Sequence, residues 1–197
     1  MARDSHPVFA RFYARASLMM ERGVAGHRNF AHYPTAVSEV IAVEPEGHLR
    51  RIAQDNAAHT TVPIEVVDGL AARLPAEDQS VDVVVASPVL CTVPDLGAAL
   101  AEMFRVLKSG GQLRFFEHVR ADTSARRRIQ RLLGATVWPA LVGGCHVGRD
   151  TAEAIEQAGF VIERLNRLGF TETSMPFPIC PQILGTAIRP GRPRGTR

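Results

Sequence analysis

Cysteine is scarce in this chain of 197 residues: there are three, at positions 91, 145 and 180. An odd, widely spaced set excludes a disulfide framework and suits a reducing compartment. Even with His146 beside Cys145, these cysteines lack the paired-ligand spacing of zinc sites, so no metal is expected. Long hydrophobic runs are also missing; none approaches the ~20 residues that span a bilayer. The N-terminus carries Arg3, Asp4, His6 and Arg11 rather than an apolar signal core. The expectation is a cytoplasmic protein with no membrane partner. Aromatic residues make up only 6%, and charge is nearly balanced, with 23 Lys and Arg against 20 Asp and Glu. The basic excess is local, in Arg126-Arg127-Arg128 with Arg131 and from Arg189 onward. A basic face interleaved with aromatics is absent, so no nucleic-acid partner is expected. Those arginines read as solvated surface.

What is present is a row of short Val/Ile-rich runs, each ending in acidic or small residues. Val40-Ile41-Ala42-Val43 ends at Glu44-Pro45, Ile64-Glu65-Val66-Val67 at Asp68-Gly69, and the run 81–86 at Ser87-Pro88. Such runs, separated by a helix-length segment or a polar loop, predict buried parallel strands of an α/β sheet. Ligands of such sheets bind beyond the carboxyl ends of the strands, where Glu44, Asp68 and Ser87 stand. Apolar spacing predicts helices over 8–22, 45–58, 95–107, 129–142 and 151–158, the last with Asp150 as N-cap. The 8–22 helix packs on the sheet, or covers a ligand with Phe12 or Tyr13. Further strands are expected at 112–119, 160–165 and 183–188. Residues 1–190 read as one domain, and 191–197 as a disordered basic tail.

Four phrases carry a resemblance when taken together and in order: AVEPE, VVDGLAARLPAEDQSVDVVVASPVLCTVPD, MFRVLKSGGQLRFFEHV, and GGCHVGRDT followed by AGF. They resemble the class I S-adenosylmethionine-dependent methyltransferases, in the ubiquinone-biosynthesis-like and thiol methyltransferase-like branch, over about residues 8–190. The resemblance implies a Rossmann-like three-layer sandwich, a mostly parallel sheet with an antiparallel last strand. It implies S-adenosylmethionine as cofactor and a small-molecule methyl acceptor. It places Glu44, with Pro45, at the ribose hydroxyls, where a carboxylate accepts two hydrogen bonds. Asp68-Gly69 falls at the adenine, with Leu70 packing on the ring, and Ser87, Pro88, Val89 and Leu90 pass the methionine moiety. Asn29, in the phrase Asn29-Phe30-Ala31-His32-Tyr33-Pro34, joins the cofactor set. Lys108-Ser109-Gly110-Gly111 resembles a structural turn of the family.

One departure stands out. The family begins its sheet with a strand ending in a glycine-rich E-x-G-x-G-x-G loop, and here a strand and turn of ~20 residues are missing. Loss of that central strand predicts a sheet that closes up, recruits another segment or borrows one from a partner, which would make a homodimer. It also predicts weakened or lost cofactor binding. His118, at the end of a strand beside Glu117, is the candidate general base, against a purely structural role. His146 is a candidate to line the acceptor pocket, and Cys91 a small buried hydrophobe or a reactive thiol. Two rivals follow: a non-catalytic relative acting through protein contacts, and a nicotinamide-dependent oxidoreductase, which needs the same absent glycine loop.

Overall fold

The computed structural model describes residues 28–136, 144–173, 178 and 181–191. The predicted helix 8–22, with Phe12 and Tyr13, lies outside these residues, as do Cys180 and the tail from 192. The described chain divides near Leu70 into two compact units.

The first unit opens with a short 3-10 helix, Arg28–His32, and carries β1 (Val40–Val43), α1 (Gly47–Ala57) and β2 (Ile64–Val67). β1 and β2 pair in parallel, Val40 opposite Ile64 through Val43 opposite Val67. The helix starts at once after β1 because Glu46 caps it, its carboxylate accepting from the His48 and Leu49 amides at 2.8 Å each.

The second unit carries β3 (Val81–Ala86), α2 (Leu96–Val106), β4 (Leu107–His118), α3 (Ser124–Gly134), α4 (Thr151–Gln157), β5 (Val161–Leu168), α5 (Phe170–Thr173) and β6 (Gln182–Ile188). Its sheet runs β3-β4-β6-β5. β4 is parallel to β3, and the last strand, β6, is antiparallel to both neighbours. Leu90, Leu100, Met103, Leu113, Phe115, Ile155 and Ile183 form its core, each worth roughly 1.5–3 kcal/mol of transfer free energy when fully buried.

Three expectations are corrected. The helix expected over 129–142 begins earlier, at Ser124 within the arginine-rich stretch, capped by the Thr123 hydroxyl. Its buried residue is Gln130, which is why apolar spacing did not mark its start. Lys108-Ser109-Gly110-Gly111, expected as a turn, lies within a strand. It forms an irregularity inside β4, where the register to β3 shifts and Gly110 takes φ +80°, open to glycine at no cost. Arg189 is no tail residue in solvent. Its Nη1 donates to the carbonyls of Phe104 (2.7 Å), Arg105 (3.1 Å) and Leu107, and its guanidinium lies 4.6 Å from the Phe104 ring centre. A cation so placed satisfies the orphan carbonyls at the end of α2.

Among the described residues β1 pairs only with β2, and β3 only with β4, so two separate ladders stand where the family sheet is continuous. Buried strands were expected throughout, yet Ile41, Val83 and Val85 are 40–44% exposed, because no described element covers those faces.

Gly185 on β6 lets Phe115 and the β5 backbone approach: an added Cβ would lie 2.4 Å from Phe115 Cζ and 2.6 Å from the Arg164 carbonyl. The ring could turn, but the carbonyl is fixed by the ladder. Gly185→Ala is expected to lower stability by about 1–3 kcal/mol, read as a shifted midpoint in urea unfolding; an unchanged midpoint would refute the overpacking.

Candidate functional site

In the first unit, the acids at the strand ends are held by local chemistry. Glu44 follows β1 directly, its amide donating to Val67 O at 3.0 Å. Its carboxylate Oε1 accepts from the Glu46 amide at 2.9 Å, which orients the half-buried side chain. Arg50, on α1, reaches back with Nη1 to Glu44 O (2.8 Å) and Pro45 O (3.2 Å), and pairs with Asp68 Oδ1 at 3.1 Å. One guanidinium thus ties the end of β1 to the end of β2. Asp68 is exposed, and Leu70 beside it is 60% exposed, an apolar surface in an otherwise polar turn. Gly69 is required for space, since a Cβ there would meet Val43 Cγ1 at 2.9 Å. Asn29 lies in the short 3-10 helix.

In the second unit, β3 gives way to the loop of Ser87, Pro88, Val89 and Leu90, and a residue that sequence reasoning passed over organises it. Glu117, fully buried on β4, accepts from the Val89 and Leu90 amides at 2.8 Å through Oε1, and from the Cys91 amide at 3.1 Å through Oε2. Burial pushes its carboxyl above the usual range, while those amides pull it back. The only sequence signal was an acid inside an apolar strand. Arg149 Nη1 donates to Leu90 O at 2.6 Å and the His146 amide to Cys91 O at 2.7 Å, closing the same loop from the other side. Gln130, also missed, accepts from the Ala121 amide at 2.7 Å and donates to Pro178 O at 3.0 Å.

His118 ends β4 and is 9% exposed. Its Nδ1 lies 3.5 Å from Cys91 Sγ and 3.6 Å from Cys145 Sγ. This burial among thiols favours the structural role over that of a base for an incoming acceptor. His146 is half-buried, with Nδ1 3.5 Å from Arg149 Nη2. Arg128 and Arg131 are exposed and Arg127 partly so, in keeping with the solvated surface expected; with Arg120 they rim an open depression.

Comparison with known proteins decides the family. A methyltransferase domain model matches residues 21–115. The thiol S-methyltransferase TMT1B of Rattus norvegicus is 32% identical over 178 residues, covering 87% of this chain and 70% of the relative. The chain belongs to the class I S-adenosylmethionine-dependent methyltransferases. The human thiol S-methyltransferase TMT1A is 29% identical with the same coverage. An S-adenosylmethionine-dependent methyltransferase from Thermotoga maritima shares the fold, with a TM-score of 0.62 at 18% identity, over 92% of this chain and 97% of that one. This methyltransferase has the Rossmann-like α/β architecture, and none of its described helices is long and apolar enough to cross a membrane.

The residues present fit the nucleoside end of the family's cofactor. Glu44 and Asp68 are acceptor-only carboxylates suited to ribose hydroxyls and an amino group, and Leu70 presents an apolar surface. For the amino-acid end, the sequence contains no E-x-G-x-G-x-G loop.

Glu117→Gln keeps the shape but turns a donor toward the Cys91 amide. The expected cost is about 1–3 kcal/mol, accompanied by faster hydrogen exchange at the Val89, Leu90 and Cys91 amides than elsewhere in β4. Uniform exchange across the loop and strand would show that Glu117 does not hold the loop.

Proposed function

We propose that this methyltransferase transfers a methyl group from S-adenosylmethionine to a small-molecule thiol, acting as one domain over residues 1–190. The observation that carries the proposal is the Arg50 clamp, which holds Glu44 and Asp68 at neighbouring strand ends in one unit. When bound, the cofactor supplies an electrophilic methyl on a sulfonium. Glu44 accepts from the ribose hydroxyls, Asp68 from the adenine amino group, and Leu70 packs on the ring, with Pro45, Gly69 and Asn29 beside them. In the other unit, Ser87, Pro88, Val89 and Leu90 are assigned the methionine moiety by family resemblance. Methyl transfer from a sulfonium depends on alignment more than on a dedicated base, so the chemistry does not require His118 as one. The thiol acceptor rests on the names of the relatives.

The absent glycine loop favours a second reading, a non-catalytic relative that acts through protein contacts. Titration calorimetry with S-adenosylhomocysteine separates the two. Binding is expected, and Glu44→Ala should weaken it by about tenfold or more, because a charged hydrogen bond is worth roughly 1.5–3 kcal/mol. No heat from a cooperatively folded protein would overturn the proposal and leave the non-catalytic relative.

A further inference from the structure

Positions 91, 118 and 145 match no ligand motif, yet the fold of the second unit brings them to one point. The donor atoms of Cys91, His118 and Cys145 all lie within 4.8 Å of one another. The three residues come from separate segments: the loop after β3, the end of β4, and the turn before α4. Cys91 is 1% exposed, Cys145 2% and His118 9%, so the donors are largely buried.

We propose that Cys91 Sγ, Cys145 Sγ and His118 Nδ1 form a binding site for a thiophilic d10 cation, with Zn2+ as its representative. Geometry is the first support. Zinc bonds sulfur at about 2.3 Å and imidazole nitrogen at about 2.0 Å, so a tetrahedral S–Zn–N edge is about 3.5 Å. The observed S···N separations are 3.5 and 3.6 Å. Donor chemistry is the second, since two thiols and an imidazole are the ligands zinc prefers over hard cations.

Unsatisfied polarity is the third support. His118 Nε2 is buried without a hydrogen-bond partner, and so are both side-chain polar atoms of Gln182, the cross-strand neighbour of His118 on β6. Native interiors rarely leave such a set unpaired. Ligation through Nδ1 fixes the tautomer with hydrogen on Nε2, and Gln182 is the adjacent amide with an acceptor to offer it. Glu117 lies next to Cys91 and accepts its amide, a carboxyl of the sort that surrounds metal ligands.

Loading is a displacement without redox change. One Zn2+ forms two Zn–S bonds and one Zn–N bond, and two thiol protons leave to solvent. The fourth position falls to water or to a further donor. The bound ion would pin the loop 87–91 to β4 and to the turn before α4, adding a cross-link where the protein otherwise relies on hydrogen bonds.

The test uses the full chain, purified under thiol reductant, stripped with a chelator and titrated with Co2+ and then Zn2+. The expected result is one equivalent bound, a sulfur-to-cobalt charge-transfer band bleached by zinc, and a raised melting temperature. Cys91→Ser, Cys145→Ser and His118→Gln should each weaken binding by about tenfold or more. If a variant fails to fold, alkylation of the wild type replaces it, with zinc expected to protect Cys91 and Cys145 together. Three outcomes overturn the site: no stoichiometric ion on folded protein, binding indifferent to Cys91 and Cys145, or a Cys91–Cys145 disulfide forming equally fast with zinc present.

Discussion

A buried carboxyl that gathers three consecutive amides is the constraint on which the second unit depends. The loop leaving β3 turns its Val89, Leu90 and Cys91 N–H groups inward, away from any strand ladder. Each would cost on the order of 1–3 kcal/mol if left unpaired. Glu117 meets all three from the neighbouring strand, and burial itself raises its proton affinity, so the exchange is poised between desolvation and hydrogen bonding. The same registration sets His118 beside Cys91. The hydrogen bond with the Cys145 thiol, together with burial, raises the Cys91 thiol well above its ordinary pKa. The loop's position, and with it the Cys91–His118 contact, therefore follows from one side chain.

Arginine performs a comparable task at element ends. Arg50 joins the ends of β1 and β2, Arg149 holds the Leu90 carbonyl, and Arg189 closes the C-terminus of α2. In each case a guanidinium meets carbonyls that a helix or strand end leaves without partners. Surface ion pairs such as Lys108–Asp82 add little by comparison, because solvent screens them.

The strands were legible because their signal is local. Val81–Ala86 was bounded correctly by composition alone, and β1 and β2 within a residue or so, since a Val/Ile run ending in an acid or Gly leaves few alternatives. Asp150 was readable as a cap for the same reason. What escaped was set by distant partners. Ser124–Gly134 is a helix whose buried residue is polar, so no apolar stripe marks its start. Arg189 looked like the first residue of a basic tail until β6 carried it to α2. Cys91, His118 and Cys145 stand 27 residues apart, a spacing that means nothing until β4 is in place.

The glycine-rich E-x-G-x-G-x-G motif that the sequence lacks is no part of what holds the acid row. Glu44, Asp68 and Gly69 owe their placement to Arg50, the Glu46 amide and the β1–β2 ladder, all within one unit. None of these contacts calls on a glycine loop, so the acid row keeps its local geometry without one. A glycine loop serves the opposite end, where backbone must approach the methionine moiety closely. In the second unit, Val83 and Val85 have the composition of a strand covered on both faces, yet they remain 44% exposed because no described element covers them.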